Sequence, residues 1–120
     1  MSPDRGHPKQ REEIKRELST IVEFETRDPK LKEAFPTVMD VQLSPDARYA
    51  KVYVALGMQN VNKEAVVAAF RRHRGFFRSE LAHRLSLRYT PELNFVLDET
   101  VEQSLHLEKL LEEDSREERP

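Results

Sequence analysis

A chain of 120 residues can form one domain with a modest hydrophobic core, but it is too short for two. Its charged and hydrophobic fractions are 35% and 38%, and no apolar run approaches the roughly 18 residues that cross a membrane. The absence of cysteine excludes disulfides, thiolate zinc sites and cysteine nucleophiles, and the N-terminus lacks the apolar core of a signal peptide, so the expected location is the cytoplasm.

The charge is unevenly distributed along the chain. The net charge is −2 at pH 7, yet nine acids and three bases between Asp98 and Pro120 give that end −6. Residues 1–97 therefore carry +4. A basic body with an acidic tail suggests that the body attracts a polyanion.

The N-terminal part predicts a short disordered segment and then a helix. Residues 1–7 are polar with proline and glycine, and are expected to be disordered. Pro8 suits a first helical turn, and apolar residues then recur at helical spacing at Ile14, Leu18, Ile21 and Val22. Asp28 precedes a proline, which disfavours the α conformation and ends the helix.

The polar face of this helix mixes acids with basic residues, chiefly Lys9, Lys15 and Arg16. Pairs of opposite charge spaced by four residues stabilise a helix and keep it in solution. The same bases could instead form a second edge of a basic surface.

Period-two alternation from Pro36 to Leu56 predicts two strands joined by a turn at residues 44–47. In the first strand the predicted core face holds Thr37, Met39, Val41 and Leu43. In the second it holds Ala50, Val52, Val54 and Leu56. The other face of the second strand carries Tyr49, Lys51 and Tyr53, which could stack on bases or form an ordinary solvated sheet surface.

Residues 70–88 predict a helix, a break at Gly75 and a second helix, with Asn62 as the N-cap of the first. Six arginines stand against the single acid Glu80, a local charge of +5: Arg71, Arg72, Arg74, Arg78, Arg84 and Arg88. Such a concentration suits a nucleic-acid backbone. A helix that restarts offers free N–H groups to a phosphate, and glycine lets a backbone approach closely. The alternative is a C-cap glycine surrounded by solvated arginines.

The remaining chain predicts a third strand and a last helix. Leu93, Phe95 and Leu97 alternate, and a two-helix crossover favours a strand parallel to the second. A capping-box pattern at 100–103 predicts a helix through Leu111, and residues 112–120 are acidic and expected to be disordered. The predicted class is α+β, a three-stranded mixed sheet with helices on one face, in the order α-β-β-α-kink-α-β-α.

Several segments, in this order and at this spacing, resemble the bacterial ribosome-binding factor A family. They are Asp28-Pro29-Lys30-Leu31, the hairpin pattern from Ser44 to Val54, Gly75-x-x-Arg78-x-x-Leu81, and Leu87-Arg88-x-x-Pro91-Glu92-Leu93-x-Phe95 followed by Asp98. The resemblance covers about residues 8–111.

This resemblance implies a type II KH-like RNA-binding domain over residues 8–111. It also implies a ribosome assembly factor that binds the small (30S) subunit and its 16S rRNA, supports late maturation and 5′-end processing, and aids growth in the cold. The family is not enzymatic. No cofactor is predicted for this chain, a monomer is the default expectation, and ribosomal proteins or other assembly factors are expected as further partners. Its kink reads Ala-x-Gly; here His73-Arg74-Gly75 puts histidine in the place of alanine.

Signals for catalysis or metal binding are weak. Glu80 and His83 have E-x-x-H spacing, but a di-iron bundle needs two such copies and two further glutamates. No P-loop, G-x-S-x-G or H-E-x-x-H motif occurs. Neither a catalytic residue nor a metal site is predicted.

The predicted RNA-binding residues follow from the arginine-rich stretch and the resemblance together. They are Arg71, Arg72, His73, Arg74, Gly75, Arg78 and Arg84, with Lys9, Lys15, Arg16 and Lys51 as secondary members. Two alternatives remain: a protein-interaction module, in which the basic surface docks on an acidic protein or the acidic tail on a basic ribosomal protein, and a metal-dependent nuclease.

Overall fold

The computed structural model describes residues 7–98. The predicted last helix, the acidic tail and residues 1–6 lie outside this range. The described elements are α1 Pro8–Thr20, a π-helical segment Ile21–Glu25, α2 Pro29–Ala34, β1 Pro36–Leu43, β2 Tyr49–Leu56, α3 Lys63–Arg72, α4 Arg74–Arg84 and β3 Glu92–Leu97. None of these helices has the length and apolarity that a membrane crossing requires.

The sheet has the order β1-β2-β3, with β1 antiparallel and β3 parallel to the central β2. This confirms the predicted α+β class and mixed sheet. Helices α1, α3 and α4 contact the sheet and enclose the core. At its centre Phe70, Phe77 and Phe95 pack together with ring centroids 4.7 to 5.9 Å apart, and Phe70 stacks on Phe95. Burying such aromatic rings contributes much of the apolar area that stabilises a domain of this size.

The N-terminal helix is shorter than the sequence predicts. Ile14 and Leu18 are fully buried, as expected, but α1 ends at Thr20 and the chain continues through the π-helical segment. The Thr26 hydroxyl then donates to the Val22 carbonyl at 2.8 Å. Asp28 does end this region, but it also caps α2, a short helix that the sequence reading did not include.

The predicted core face of β1 is wrong in its first half. Val38 pairs with Val54 but Asp40 pairs with Tyr53, so Met39 is an extra residue that forms a β-bulge. The bulge resets the alternation: Val38 is buried and Thr37 is exposed before it, whereas Val41 and Leu43 are buried after it. Met39 itself is half-buried. The predicted face of β2 is confirmed, with Ala50, Val52 and Val54 buried and Leu56 packed against the core.

The break between α3 and α4 falls at His73, not at Gly75. His73 has φ −103° and ψ 10°, and α4 begins at Arg74, so Gly75 lies in the first helical turn and has no positive φ. The N-cap prediction is confirmed, because Asn62 Oδ1 accepts from the Ala65 N–H at 3.1 Å.

Candidate nucleic-acid interface

The basic surface is built on the junction of α3 and α4, which we call the elbow and define as residues 71–78. Phe70 and Phe77 are fully buried on either side of its centre and anchor it to the sheet. Because these two positions point inward, the backbone turns Arg71, Arg72, Arg74 and Gly75 toward solvent. Burial of the two phenylalanines therefore leaves the arginines between them exposed on the surface.

The elbow and the adjoining end of the sheet enclose a groove of about 950 Å³. From the elbow it is lined by Arg71, Arg72, Arg74, Gly75 and Arg78; from the strands and the hairpin it is lined by Gln42, Leu43, Ser44, Tyr49, Ala50, Lys51, Glu92, Leu93 and Asn94. Five cationic side chains thus face a groove that holds one carboxylate, Glu92. The structure brings together six of the predicted residues here.

The groove arginines differ in their partners. Arg71 and Arg74 are exposed and make no ion pair within the described part of the chain. Arg78 Nε and Nη2 both donate to the Thr90 carbonyl, at 3.2 and 2.9 Å. Lys51 Nζ lies 5.6 Å from the centroid of the Tyr53 ring. Arg71 and Arg74 are consequently the groove guanidinium groups most available to a ligand.

Asp28 ties the elbow to α2. Its Oδ1 accepts from the Lys30 N–H at 2.9 Å, while Oδ2 lies 2.9 Å from Arg72 Nη2 and 2.8 Å from His73 Nε2. The hydrogen bond from Arg72 is the main reason that the pKa of Asp28 falls from 3.8 to about 2, with the Lys30 N–H and His73 adding to it. His73 therefore faces a carboxylate rather than the groove, and Arg72 is shared between Asp28 and the groove edge.

Gly75 has open space where a side chain would stand. A Cβ built there meets no described atom within 4 Å, and the backbone conformation is ordinary. Neither packing nor backbone geometry in the described structure requires glycine at this position. Its absent side chain leaves the backbone of the first turn of α4 accessible.

Arg84 is not brought to the groove. It lies on the other side of α4, where its guanidinium reaches Glu25, Glu17 at 3.6 Å and Glu80 at 3.8 Å. By residue type Arg84 cannot be distinguished from the other arginines of this stretch. Only the fold shows that acids of α1 and of the π-helical segment lie next to it.

The secondary residues of α1 also lie apart from the groove. Lys9 and Arg16 are exposed and Lys15 is half-buried, and Arg16 Nε is 4.0 Å from Glu17. Gln42 and Asn94 line the groove but are absent from the predicted site. Both occupy strand positions that alternate with buried ones, and this alternation is the signal in the sequence that could identify them. Within residues 7–98 no cluster of three metal-ligating side chains occurs.

Comparison with known proteins identifies the family of this chain. A family model described as Ribosome-binding factor A matches residues 7–111. The chain belongs to this family.

Relatives in the ribosome-binding factor A family cover most of the chain. The protein from Clostridium tetani is 38% identical over 101 residues, which cover 84% of this chain and 83% of that one. The protein from Moorella thermoacetica is 40% identical over 100 residues, covering 83% and 82%. The resemblance read from the motifs is confirmed.

Solved structures of ribosome-binding factor A share the fold. The crystal structure of the Thermus thermophilus protein superposes with a TM-score of 0.66 at 28% identity, covering 77% of this chain and 94% of that one. A solution structure of a putative ribosome-binding factor A from Thermotoga maritima gives 0.65 at 35% identity, covering 80% and 90%. A homology model of the Thermus protein, fitted into a cryo-EM map of its 30S complex, gives 0.64 at 27% identity, covering 79% and 96%. The KH-like fold is thereby confirmed.

Proposed function

We propose that this chain binds the small ribosomal subunit through its 16S rRNA, without catalysing a reaction, and that the groove at the elbow is the contact surface. The observation that carries the proposal is the convergence of five cationic side chains on one groove, among which Arg71 and Arg74 have no carboxylate partner in the described chain. A concentration of cations of this kind, on a chain whose net charge is −2, attracts an anionic partner.

The chemistry of the groove suits a sugar–phosphate backbone. Guanidinium groups donate paired, charge-assisted hydrogen bonds to phosphate oxygens. The first turn of α4 adds N–H groups that have no intrahelical partner, and Gly75 leaves them within reach of a phosphate. Recognition of this type reads the shape and backbone of an RNA more than its base edges.

Family membership supports the choice of target. The Thermus thermophilus relative has been placed in a map of a 30S complex, and its fold is the one seen here. Charge alone favours any polyanion, whereas the family favours the small subunit. We further propose that the bound chain assists late maturation of the subunit, including processing of the 5′ end of its RNA. It would thereby support growth of the cell in the cold.

The direct test is binding to purified small-subunit particles. We expect the double variant Arg71→Glu with Arg74→Glu to bind at least about tenfold more weakly than the unmodified chain, measured by co-sedimentation. The matched control is Lys30→Glu with Lys32→Glu, an equal change of charge at exposed positions of α2 outside the groove. Circular dichroism establishes that both variants keep the fold. Equal weakening by the two pairs would indicate an effect of net charge alone, and no weakening by either would contradict the proposal.

Three further experiments address the finer proposals and the alternatives. In cells lacking the factor, the chain should restore the mature 5′ end of the 16S rRNA, read by primer extension, and the arginine double variant should not. Binding that survives removal of the RNA, with ribosomal proteins alone as the target, would instead support a protein-interaction module. Cleavage of RNA that a chelator abolishes would support a nuclease.

A further inference from the structure

An aromatic ring flanked by two guanidinium groups lies in the connector between α4 and β3. The Tyr89 ring has Arg48 Cζ 4.5 Å and Arg88 Cζ 5.4 Å from its centroid. The side chain remains 41% exposed, and its hydroxyl makes no hydrogen bond with the described residues. The ring is therefore neither a core residue nor a buried hydrogen-bonding group.

This ring adjoins the groove at the elbow. A shallow depression lined by Gly75, Arg78, Ser79, Ala82, Arg88, Tyr89 and Thr90 shares Gly75 and Arg78 with the groove. A strand of RNA that lies along the elbow thus reaches Tyr89 without leaving the basic surface.

The connector that carries the ring is held at both sides. Arg78 donates twice to the Thr90 carbonyl, and the Glu92 N–H donates to the Arg48 carbonyl at 2.8 Å. The first pair of bonds joins the connector to α4, and the last bond joins the start of β3 to the start of β2. Since the backbone on either side is held, stacking of a ligand restricts only the two side-chain torsions of Tyr89.

The Arg48 and Arg88 guanidinium groups lie over the Tyr89 ring, so a base that stacks on the ring takes the place of one of them. Bases stack on tyrosine and on the planes of arginine side chains, and arginine also neutralises the neighbouring phosphate. A base inside a duplex is already stacked on both faces, so only an unpaired nucleotide offers a face to such a site.

We propose that Tyr89, supported by Arg48 and Arg88, stacks an unpaired base of the RNA whose backbone occupies the groove at the elbow. The inference deepens the proposed function and rests on it. It distinguishes two parts of one surface: a phosphate contact that accepts paired or unpaired RNA, and a stacking site that requires an unpaired nucleotide.

The test compares two RNAs that carry equal numbers of phosphates. One is a hairpin with a single-stranded extension that contains 2-aminopurine, and the other is a fully paired duplex. We expect Tyr89→Leu, which keeps an apolar side chain but removes the aromatic face, to weaken binding to the extended hairpin by about tenfold and to leave duplex binding within about twofold. Tyr89→Phe should bind both RNAs as the unmodified chain does, whereas Arg71→Glu with Arg74→Glu should weaken both.

The outcomes separate this inference from the function on which it rests. Equal affinity of Tyr89→Leu and the unmodified chain for the extended hairpin overturns the stacking site, while the arginine variant still tests the groove. If Tyr89→Leu does not fold, the unmodified protein decides: it should change the fluorescence of 2-aminopurine in the extension but not in a paired stem. Unchanged fluorescence at saturation overturns the proposal.

Discussion

Two glycines of the described chain, Gly57 and Gly75, have opposite surroundings. A Cβ at Gly57 would lie 3.1 Å from the Phe35 Cβ and 3.2 Å from the Phe35 carbonyl oxygen, next to a residue whose φ of 50° is already in the left-handed region. A Cβ at Gly75 meets nothing described within 4 Å. Gly57 allows close packing against Phe35, whereas Gly75 leaves the surface of the elbow open.

Alanine at the two positions should consequently act in opposite directions. Gly75→Ala should raise the free energy of unfolding by up to about 1 kcal/mol, because alanine favours a helix and restricts the unfolded chain. It should also weaken binding to small-subunit particles, since a methyl group would separate backbone from phosphate. Gly57→Ala should lower the free energy of unfolding through the contact with Phe35. Urea titration and co-sedimentation measure both effects, and particle binding unchanged by Gly75→Ala would contradict the close approach.

The depressed pKa of Asp28 gives a second prediction. The folded-state pKa is about 2 against 3.8 for a free carboxyl, so the ionised group stabilises the fold above the higher value, and that stabilisation disappears as pH falls through the lower one. Asp28→Asn keeps an N-cap oxygen for α2 but loses the charge that holds Arg72 and His73. The difference in unfolding free energy between the chain and Asp28→Asn should be largest from about pH 5 upward, should decrease as the pH falls toward about 2, and should vanish only below that.

Urea titrations at a series of pH values measure this difference. Glu33→Gln is the control, because Glu33 is an exposed acid on the same helix with no ion pair among residues 7–98. A pH-independent difference for Asp28→Asn would show that the carboxylate charge is not what holds the elbow to α2.

At the scale of elements, Arg84 forms ion pairs that join α4 to α1 and to the π-helical segment. Its partners come from α1, from the π-helical segment and from one turn earlier on α4, namely Glu17, Glu25 and Glu80. The Arg84 side chain is about three-quarters buried. A cation shared by three partly buried carboxylates is a structural group, because its removal leaves like charges side by side.

Arg84 and Arg74 should therefore respond differently to truncation. Arg84→Ala should lower the free energy of unfolding by about 1 to 3 kcal/mol but leave particle binding unchanged at temperatures where the variant is folded. Arg74→Ala, which removes an arginine that has no ion pair among residues 7–98, should change stability by less than about 0.5 kcal/mol and weaken binding. Urea titration and co-sedimentation separate the two. Loss of binding in folded Arg84→Ala would indicate that Arg84 contacts the RNA.

The sequence predicted the elements better than their junctions. Hydrophobic spacing identified α1, both strands of the hairpin, α3, α4 and β3, because each buries one face against the same core. The bulge at Met39, the π-helical segment and the joint at His73 depend on how neighbouring elements pair and pack, which local spacing does not encode. For the site, composition located the arginines, but only tertiary structure distinguishes Arg71 and Arg74, which have no ion pair within the described residues, from Arg84.

At the scale of the whole molecule, positive and negative charge lie in different regions of the chain, which the net charge of −2 does not reveal. Residues 1–97 carry +4 and the end of the chain carries −6, and the five groove cations lie within the basic part. Binding of such a surface to RNA releases counterions from the phosphates, so affinity falls as salt rises. The number of phosphate contacts can then be read from the slope of log Kd against log salt concentration.

This slope gives the last prediction. If Arg71 and Arg74 each neutralise one phosphate, replacing both by alanine should make the slope shallower by about 1 for each residue, or about 2 in total. The alanine pair Lys30→Ala with Lys32→Ala removes the same charge from α2, outside the groove, and should leave the slope unchanged. Fluorescence anisotropy with a labelled small-subunit RNA fragment, titrated from low to high potassium chloride, provides the measurement. A line parallel to that of the unmodified chain but displaced from it would mean that the two arginines release no counterions, and that they contribute to binding by some means other than phosphate contact.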